Sequence, residues 1–206
     1  MTIDTDNLLN SILESIDRVK FVNSDDIPNI DLYVDQVTTF MDKALKSTMR
    51  YKDQDKVLTK TMINNYAKND LLPSPYKKKY SKEHVLVLVF IYYFKNILSI
   101  NDIQNLLGPL TERFFGEEEF SVKDVYDEVI NINEELIESL KEDIKAKYSK
   151  SMDSFKDSSE EDKEFLQLFS FITMLAMDVY VKKLMIEKMI DQYTEKHIDE
   201  EKPGKK

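Results

Sequence analysis

Leu8, Leu9, Ile12, Leu13, Ile16 and Val19 recur every three or four residues, the spacing of one buried face on a helix covering roughly 6–20. Polar residues around Pro28 interrupt this pattern, and Asp31 or Asn29 then stands where an N-cap belongs, ahead of an inward set of Leu32, Val37, Phe40, Met41 and Leu45. A polar, charged connector follows at about 47–56. Thr59 predicts the cap of a short helix with Met62, Ile63, Tyr66 and Ala67 facing inward, and Pro73 and Pro75 forbid its continuation. The stretch 76–80 reads as extended, and Ser81 caps a helix over 82–97 that is apolar on nearly every face and therefore central. Ser99 with Asp102 predicts a capping box for a helix ending at Gly108-Pro109. Ser121 with Asp124 opens a long helix to about 149, in which Val122, Val125, Val129, Ile132 and Leu136 keep the spacing of a bundle or an intersubunit seam. After a polar linker at 149–159, Ser158 with Glu161 begins a last helix to about 196. Its apolar run over 165–177 is broken by Gln167, Ser170 and Thr173, and the run Val85 to Phe94 is also shorter than the ~20 residues that cross a bilayer. Both read as core helices, and no membrane partner is expected.

Three glycines and five prolines in 206 residues leave few turns, which makes a β-rich fold untenable and a mainly α fold expected. The segments read as an N-terminal helix (1–28), a central domain (29–110), a C-terminal helical region (111–200) and a fraying tail (201–206). Absence of cysteine removes disulfides, thiolate metal sites and cysteine nucleophiles. The residues after Met1 are acidic and polar, not a signal-peptide pattern, so a cytoplasmic location is expected.

The net charge of −10 speaks against a polyanion partner until its distribution is considered. Between Lys43 and His84 there are eleven basic and four acidic residues, a window of +7, which leaves −17 for the remainder. Such polarisation points to a segment that meets a polyanion.

Catalytic chemistry lacks carriers. The two histidines, His84 and His197, are far apart in sequence, and there is no HExxH pair, phosphate-binding glycine loop or G-x-S-x-G elbow. The acidic runs Glu117 to Glu119 and Glu160 to Asp162 precede helix starts, where the helix dipole favours them. No catalytic residue, no metal site and no cofactor is expected, and the chain does not read as an enzyme. What remains is the short helix after Thr59, whose outward face holds Thr61, Asn64, Asn65 and Lys68 at helical spacing. Lys60 precedes it, and Tyr76, Lys77, Lys78 and Lys79 follow on the extended stretch. Asparagine can pair bidentately with adenine, threonine can meet a thymine methyl, and lysines neutralise phosphates, so these nine residues are the candidate contacts to double-stranded DNA.

The run Met62-Ile63-Asn64-Asn65-Tyr66-Ala67-Lys68-Asn69-Asp70-Leu71-Leu72-Pro73, then Lys79-Tyr80-Ser81, then Leu98-Ser99-Ile100-Asn101-Asp102-Ile103, resembles the MerR-type winged helix-turn-helix. In that family the order is T-I-R-Y-Y-E-K-x-G-L-L-P, then R-Y-S, then F-S-L-x-E-I. Here Asn64 stands for the arginine, Asn65 for the first tyrosine and Asp70 for the turn glycine. The run from Ile30 through Leu110 also resembles a bacterial family, domain of unknown function 1836. The resemblance implies a winged helix-turn-helix with a small β wing over 29–110, followed by a helical dimerisation or effector region. It further implies a sequence-specific transcriptional regulator that acts as a homodimer. From the residues themselves, the Phe- and Met-rich last helix reads as core or dimer interface first, and a cavity between it and the helix beginning at Ser121 could admit an apolar small-molecule effector. The alternative expectation is a non-enzymatic helical protein–protein interaction module whose winged helix does not bind DNA.

Overall fold

The computed structural model describes residues 5–17, 21–51 and 56–200. The chain is mainly helical with one small sheet, as its composition predicts. It divides into two compact units, one from residues up to 20 with 131–185 and the other from 21–130 with 186 onward.

The larger unit is built around α4 (Lys82–Phe94), in which nine consecutive residues, His84 to Tyr92, are buried. An element enclosed on all sides must be uniformly apolar. Its N-terminus carries the expected cap at Ser81, with His84 in the position usually held by a glutamate: Nδ1 accepts from the Ser81 backbone N–H at 3.0 Å. Glu83 turns the other way and accepts from the backbone N–H groups of Gly116 (2.8 Å) and Val122 (3.2 Å), which fixes the start of α6 (Val122–Glu135). Tyr126 of α6 is fully buried and donates its hydroxyl to the Val22 carbonyl at 2.6 Å. Burial raises the Tyr126 pKa, and it pushes Tyr93 up to about 12.

Around α4 lie α2 (Val34–Leu45), α3 (Lys60–Lys68) and α5 (Ile100–Phe114), with Ile186 and Ile190 of the last helix completing the same core. The strands β1 (Leu32–Tyr33) and β2 (Lys79–Tyr80) pair antiparallel, Leu32 opposite Tyr80 and Tyr33 opposite Lys79. The smaller unit packs α1 (Thr5–Asp17) against α7 (Ile137–Met152), and Phe171 of α8 (Glu160–Glu200) joins them.

Several local expectations are corrected. Leu32 lies in β1 instead of a helix, and α2 is capped by Tyr33, whose backbone N–H donates to Gln36 Oε1 at 2.8 Å, not by Asp31 or Asn29. Helix α5 does not stop at Gly108-Pro109 but continues to Phe114 with Pro109 inside it. The Thr111 hydroxyl donates to the carbonyls of Leu107 (3.1 Å) and Gly108 (3.0 Å), and Leu110 and Phe114 pack on the core, which offsets the ~3 kcal/mol that an interior proline costs. The helix from Ser121 is broken at Leu136, and its buried stripe is Val122, Tyr126 and Ile130, with Val129, Ile132 and Leu136 exposed. The last helix is capped one residue later than expected, by Ser159 with Asp162. Its run over 165–177 is not a core segment: in the most apolar 18-residue window of α8, 6% of residues are buried, and by length and composition α8 is apolar enough to cross a membrane. The tail at 201–206 lies outside the described residues.

Burial holds the His84 imidazole below its usual 6.5, against weaker opposing pulls from the backbone at Ser74 and the Asp31 carboxylate. A depressed folded-state pKa means that the neutral ring is the one the fold accepts. Stability is then complete above pH 6.5 and falls as the pH drops from there toward the folded-state value. Urea midpoints measured at pH 7.5 and 5.5 should differ more for the native chain than for His84→Gln, which keeps the capping acceptor and cannot charge. Equal differences would remove His84 from the acid response.

Candidate nucleic-acid interface

The short helix α3 begins where the connector is clamped. Val57 is fully buried, its N–H donates to Asp42 Oδ1 at 3.1 Å, and its carbonyl accepts from Lys95 Nζ at 2.7 Å. Two residues on, Thr59 Oγ1 accepts from the Met62 N–H at 3.2 Å and starts the helix as the sequence predicts. Ile63 and Tyr66 face the core, and Lys60, Thr61, Asn64, Asn65 and Lys68 are all exposed.

Asp70 ends the helix in the left-handed conformation, φ +56°, at the position where the MerR-type pattern has its glycine. This turn lets the Leu71 and Leu72 N–H groups both donate to the Tyr66 carbonyl, at 2.9 and 3.2 Å, and drives both leucines into the core. After Pro73 and Pro75 the chain makes a tight turn at Tyr76–Lys79. Lys77 and Lys78 hold φ of +49° and +65°, and the Lys79 N–H donates to the Tyr76 carbonyl at 2.9 Å. Two adjacent left-handed residues match the twist of paired strands, but this geometry normally selects asparagine and glycine. Lysine side chains there cost about 1–2 kcal/mol each. Lys78→Gly should therefore raise the unfolding free energy by about 1 kcal/mol in urea titration, and a loss of stability would show that the turn is not left-handed at this position.

The turn and the helix face meet through Tyr80. Its ring is buried edge-on against His84 (centroids 5.5 Å apart), and its hydroxyl donates to Asn64 Oδ1 at 3.5 Å. One lone pair of that amide oxygen is engaged, and the second lone pair and both N–H donors remain for a ligand. Burial raises the Tyr80 pKa, so the hydroxyl stays a donor at any ordinary pH.

Not all of the candidate cations are equally available. Lys60 is ion-paired with Asp35 of α2, Lys79 Nζ lies 5.4 Å above the Tyr33 ring and Lys77 Nζ 4.9 Å above the neighbouring Tyr76 ring. Lys68 and Lys78 are exposed. The structure thus brings Asn64 and the Lys77–Lys79 turn together on joined elements. Nothing local along the chain announces the Lys60–Asp35 pair, because the two residues are 25 positions apart.

Among the described residues, a pocket of about 430 Å³ in the same unit is lined by Thr48, Met49, Arg50, Lys56, Tyr92, Lys95 and Asn96, which include three cations. Tyr92 and Thr48 share a 2.7 Å hydroxyl–hydroxyl hydrogen bond there, and burial lowers the Lys95 pKa. Arg50 and Lys56 belong to the +7 window, but Lys95 was hidden in sequence by its position at the end of an apolar helix. Among the described residues no group of three histidines and carboxylates is placed to hold a metal ion.

No curated protein and no solved structure matches the chain. The family model described as a domain of unknown function, DUF1836, matches residues 22–129, just over half of the chain and almost the whole first part of the larger unit. On that match the chain belongs to the DUF1836 family.

Proposed function

We propose that this protein is a non-enzymatic, sequence-specific double-stranded DNA-binding regulator of transcription, with α3 as recognition helix and the Tyr76–Tyr80 turn and strand as wing, in a MerR-like winged helix-turn-helix. The observation that carries the reading is the Tyr80–Asn64 hydrogen bond, which joins an exposed amide-bearing helix to an exposed lysine turn inside the only strongly basic window of an acidic chain. A helix of nine residues is about 14 Å long, and B-DNA has a major groove roughly 12 Å wide that admits a helix and displays a distinct donor and acceptor pattern for each base pair. Lys78, exposed on the left-handed turn, would meet phosphate next to that groove. The acidic remainder then acts against non-specific adhesion by repelling the duplex wherever the basic face is turned away. If the site read is a palindrome, two recognition helices must be presented about one helical turn apart, which calls for a pair of chains.

Selection of bound duplexes from a random pool at about 100 mM salt tests binding and discrimination together. An enriched common sequence is expected, and Lys78→Gly should retain less DNA of every sequence while folding more stably. Retention of no duplex even at about 50 mM salt, or retention without enrichment, would overturn the reading.

A further inference from the structure

The small sheet starts two helices side by side. Strand β1 leads directly into α2, and β2 leads through Ser81 into α4, so both helices run away from the sheet in the same direction for about 18–20 Å. Their far ends are tied together. The Thr48 hydroxyl donates to the Leu45 carbonyl at 2.7 Å, which leaves it to accept from the Tyr92 hydroxyl at 2.7 Å. Lys95, the C-cap of α4, reaches across to the Val57 carbonyl and lies 5.0 Å above the Tyr92 ring. The pocket of about 430 Å³ opens beside this tie, lined by the Arg50, Lys56 and Lys95 cations.

Cations at helix C-termini ordinarily complement the dipole, but two helix ends supply only about −0.5 charge each, against three formal positive charges here. The surrounding sequence keeps the balance positive: 46–56 holds Lys46, Arg50, Lys52 and Lys56 against Asp53 and Asp55, before Lys95 is added. Elsewhere this acidic chain pairs its lysines with carboxylates, as at Lys60, Lys123, Lys141, Lys147 and Lys163. Arg50 and Lys56 are exposed and have no ion pair among the described residues, and the Arg50 guanidinium rests 5.3 Å above the Tyr51 ring. Lys95 spends one of its three N–H donors on Val57, and burial disfavours its charge, so an anion beside it would recover part of what desolvation costs.

We infer that this pocket binds a small phosphorylated anion, a diphosphate or a phosphate monoester of about pentose size. A guanidinium fork, two ammonium groups and the Asn96 amide line the space from separate segments of chain. Such a set suits the several oxygens of a tetrahedral phosphoryl group better than the two of a planar carboxylate. The charge also matches, since a phosphate monoester carries about −1.5 to −2 near pH 7 and a diphosphate carries more. The volume lies in the lower part of the ~300–1,000 Å³ range of small-ligand sites, with room for more than a lone phosphate. Both place and chemistry differ from the apolar cavity expected between the last helix and the one beginning at Ser121. The site does not depend on whether the protein binds DNA.

Calorimetric titration of the full chain at about 100 mM salt with pyrophosphate and with ribose 5-phosphate tests this, with citrate as a carboxylate anion of similar charge. At least one phosphorylated probe should bind with a dissociation constant below about 1 mM, and the tighter of the two distinguishes a free inorganic diphosphate from an ester. Arg50→Gln and Lys56→Gln should each weaken that binding at least about tenfold. Both positions are exposed, so far-ultraviolet circular dichroism should not change. Lys43→Gln, exposed in the same basic window but outside the lining, should stay within about twofold of the native chain. Dissociation constants above about 1 mM for both phosphorylated probes, citrate bound as tightly as they are, or equal losses in all three variants would overturn the proposal. So would a loss of duplex retention in Arg50→Gln without binding of either small anion, which would assign these cations to a nucleic-acid backbone.

Discussion

Truncating Leu88 to alanine should lower the unfolding free energy of the larger unit by about 2–5 kcal/mol. Leu88 is fully buried in the middle of nine consecutive buried residues of α4, so no flank of the helix can move toward the void without displacing another packed side chain. The loss combines the transfer term for the deleted carbons with a cavity that stays open, which places it toward the upper part of that range. Urea titration followed by circular dichroism measures it. Ile97→Ala, an exposed position just beyond the same helix, provides the control and should stay within about 0.5 kcal/mol of the native chain. A Leu88→Ala effect below about 1 kcal/mol would mean that α4 is not the enclosed element described above.

The second large effect concerns discrimination between DNA sequences. Asn64→Ala and Asn65→Ala should each reduce the preference for the selected duplex over random DNA by about 1–3 kcal/mol, roughly five- to 150-fold, with little change in affinity for the random duplex. Tyr80→Phe keeps the buried ring and removes the hydroxyl that steadies Asn64, so it should give a smaller loss of the same kind. Lys78→Ala and Lys79→Ala should differ in character. Each should weaken all sequences alike and reduce the dependence of log K on log salt by about 0.9 for a lost phosphate contact. Competition binding at two salt concentrations separates the two behaviours, and equal losses on selected and random duplexes for the asparagine variants would rule out base reading by α3.

The helix starts at Thr59, Ser81, Ser99 and Ser121 are legible in the sequence because a cap is a local device, closed within three residues. The outward face of α3 follows from helical periodicity alone, and so does its burial of Ile63 and Tyr66. The two-residue strand β1 is illegible, since it exists only through pairing with residues 46 and 48 positions away. The left-handed pair Lys77-Lys78 carries no glycine or asparagine to announce it, so the stretch reads as merely extended. Pro109 misleads because the local penalty is real and is outweighed only by packing on a distant core. Helix α8 misleads for a related reason: Phe, Leu and Met at helical spacing look the same whether their neighbours are supplied by the same chain or have yet to be supplied. At the candidate interface, the exposed residues could be read from the sequence, while the Lys60–Asp35 pair and the Tyr80–Asn64 bond arise only from tertiary placement.

The hydrogen bond from Tyr126 to the Val22 carbonyl joins positions 104 apart, close to the two limits of the family match. During synthesis at about 5–20 residues per second, Val22 leaves the ribosome roughly 5–20 seconds before Tyr126 can reach it. Helix α4 is made 32–44 residues ahead of Tyr126, so for roughly the last 2–9 seconds of that interval it stands with apolar sides that α6 has yet to cover, and ribosome-bound chains stalled between the two are a form of this protein that offers chaperones much to hold.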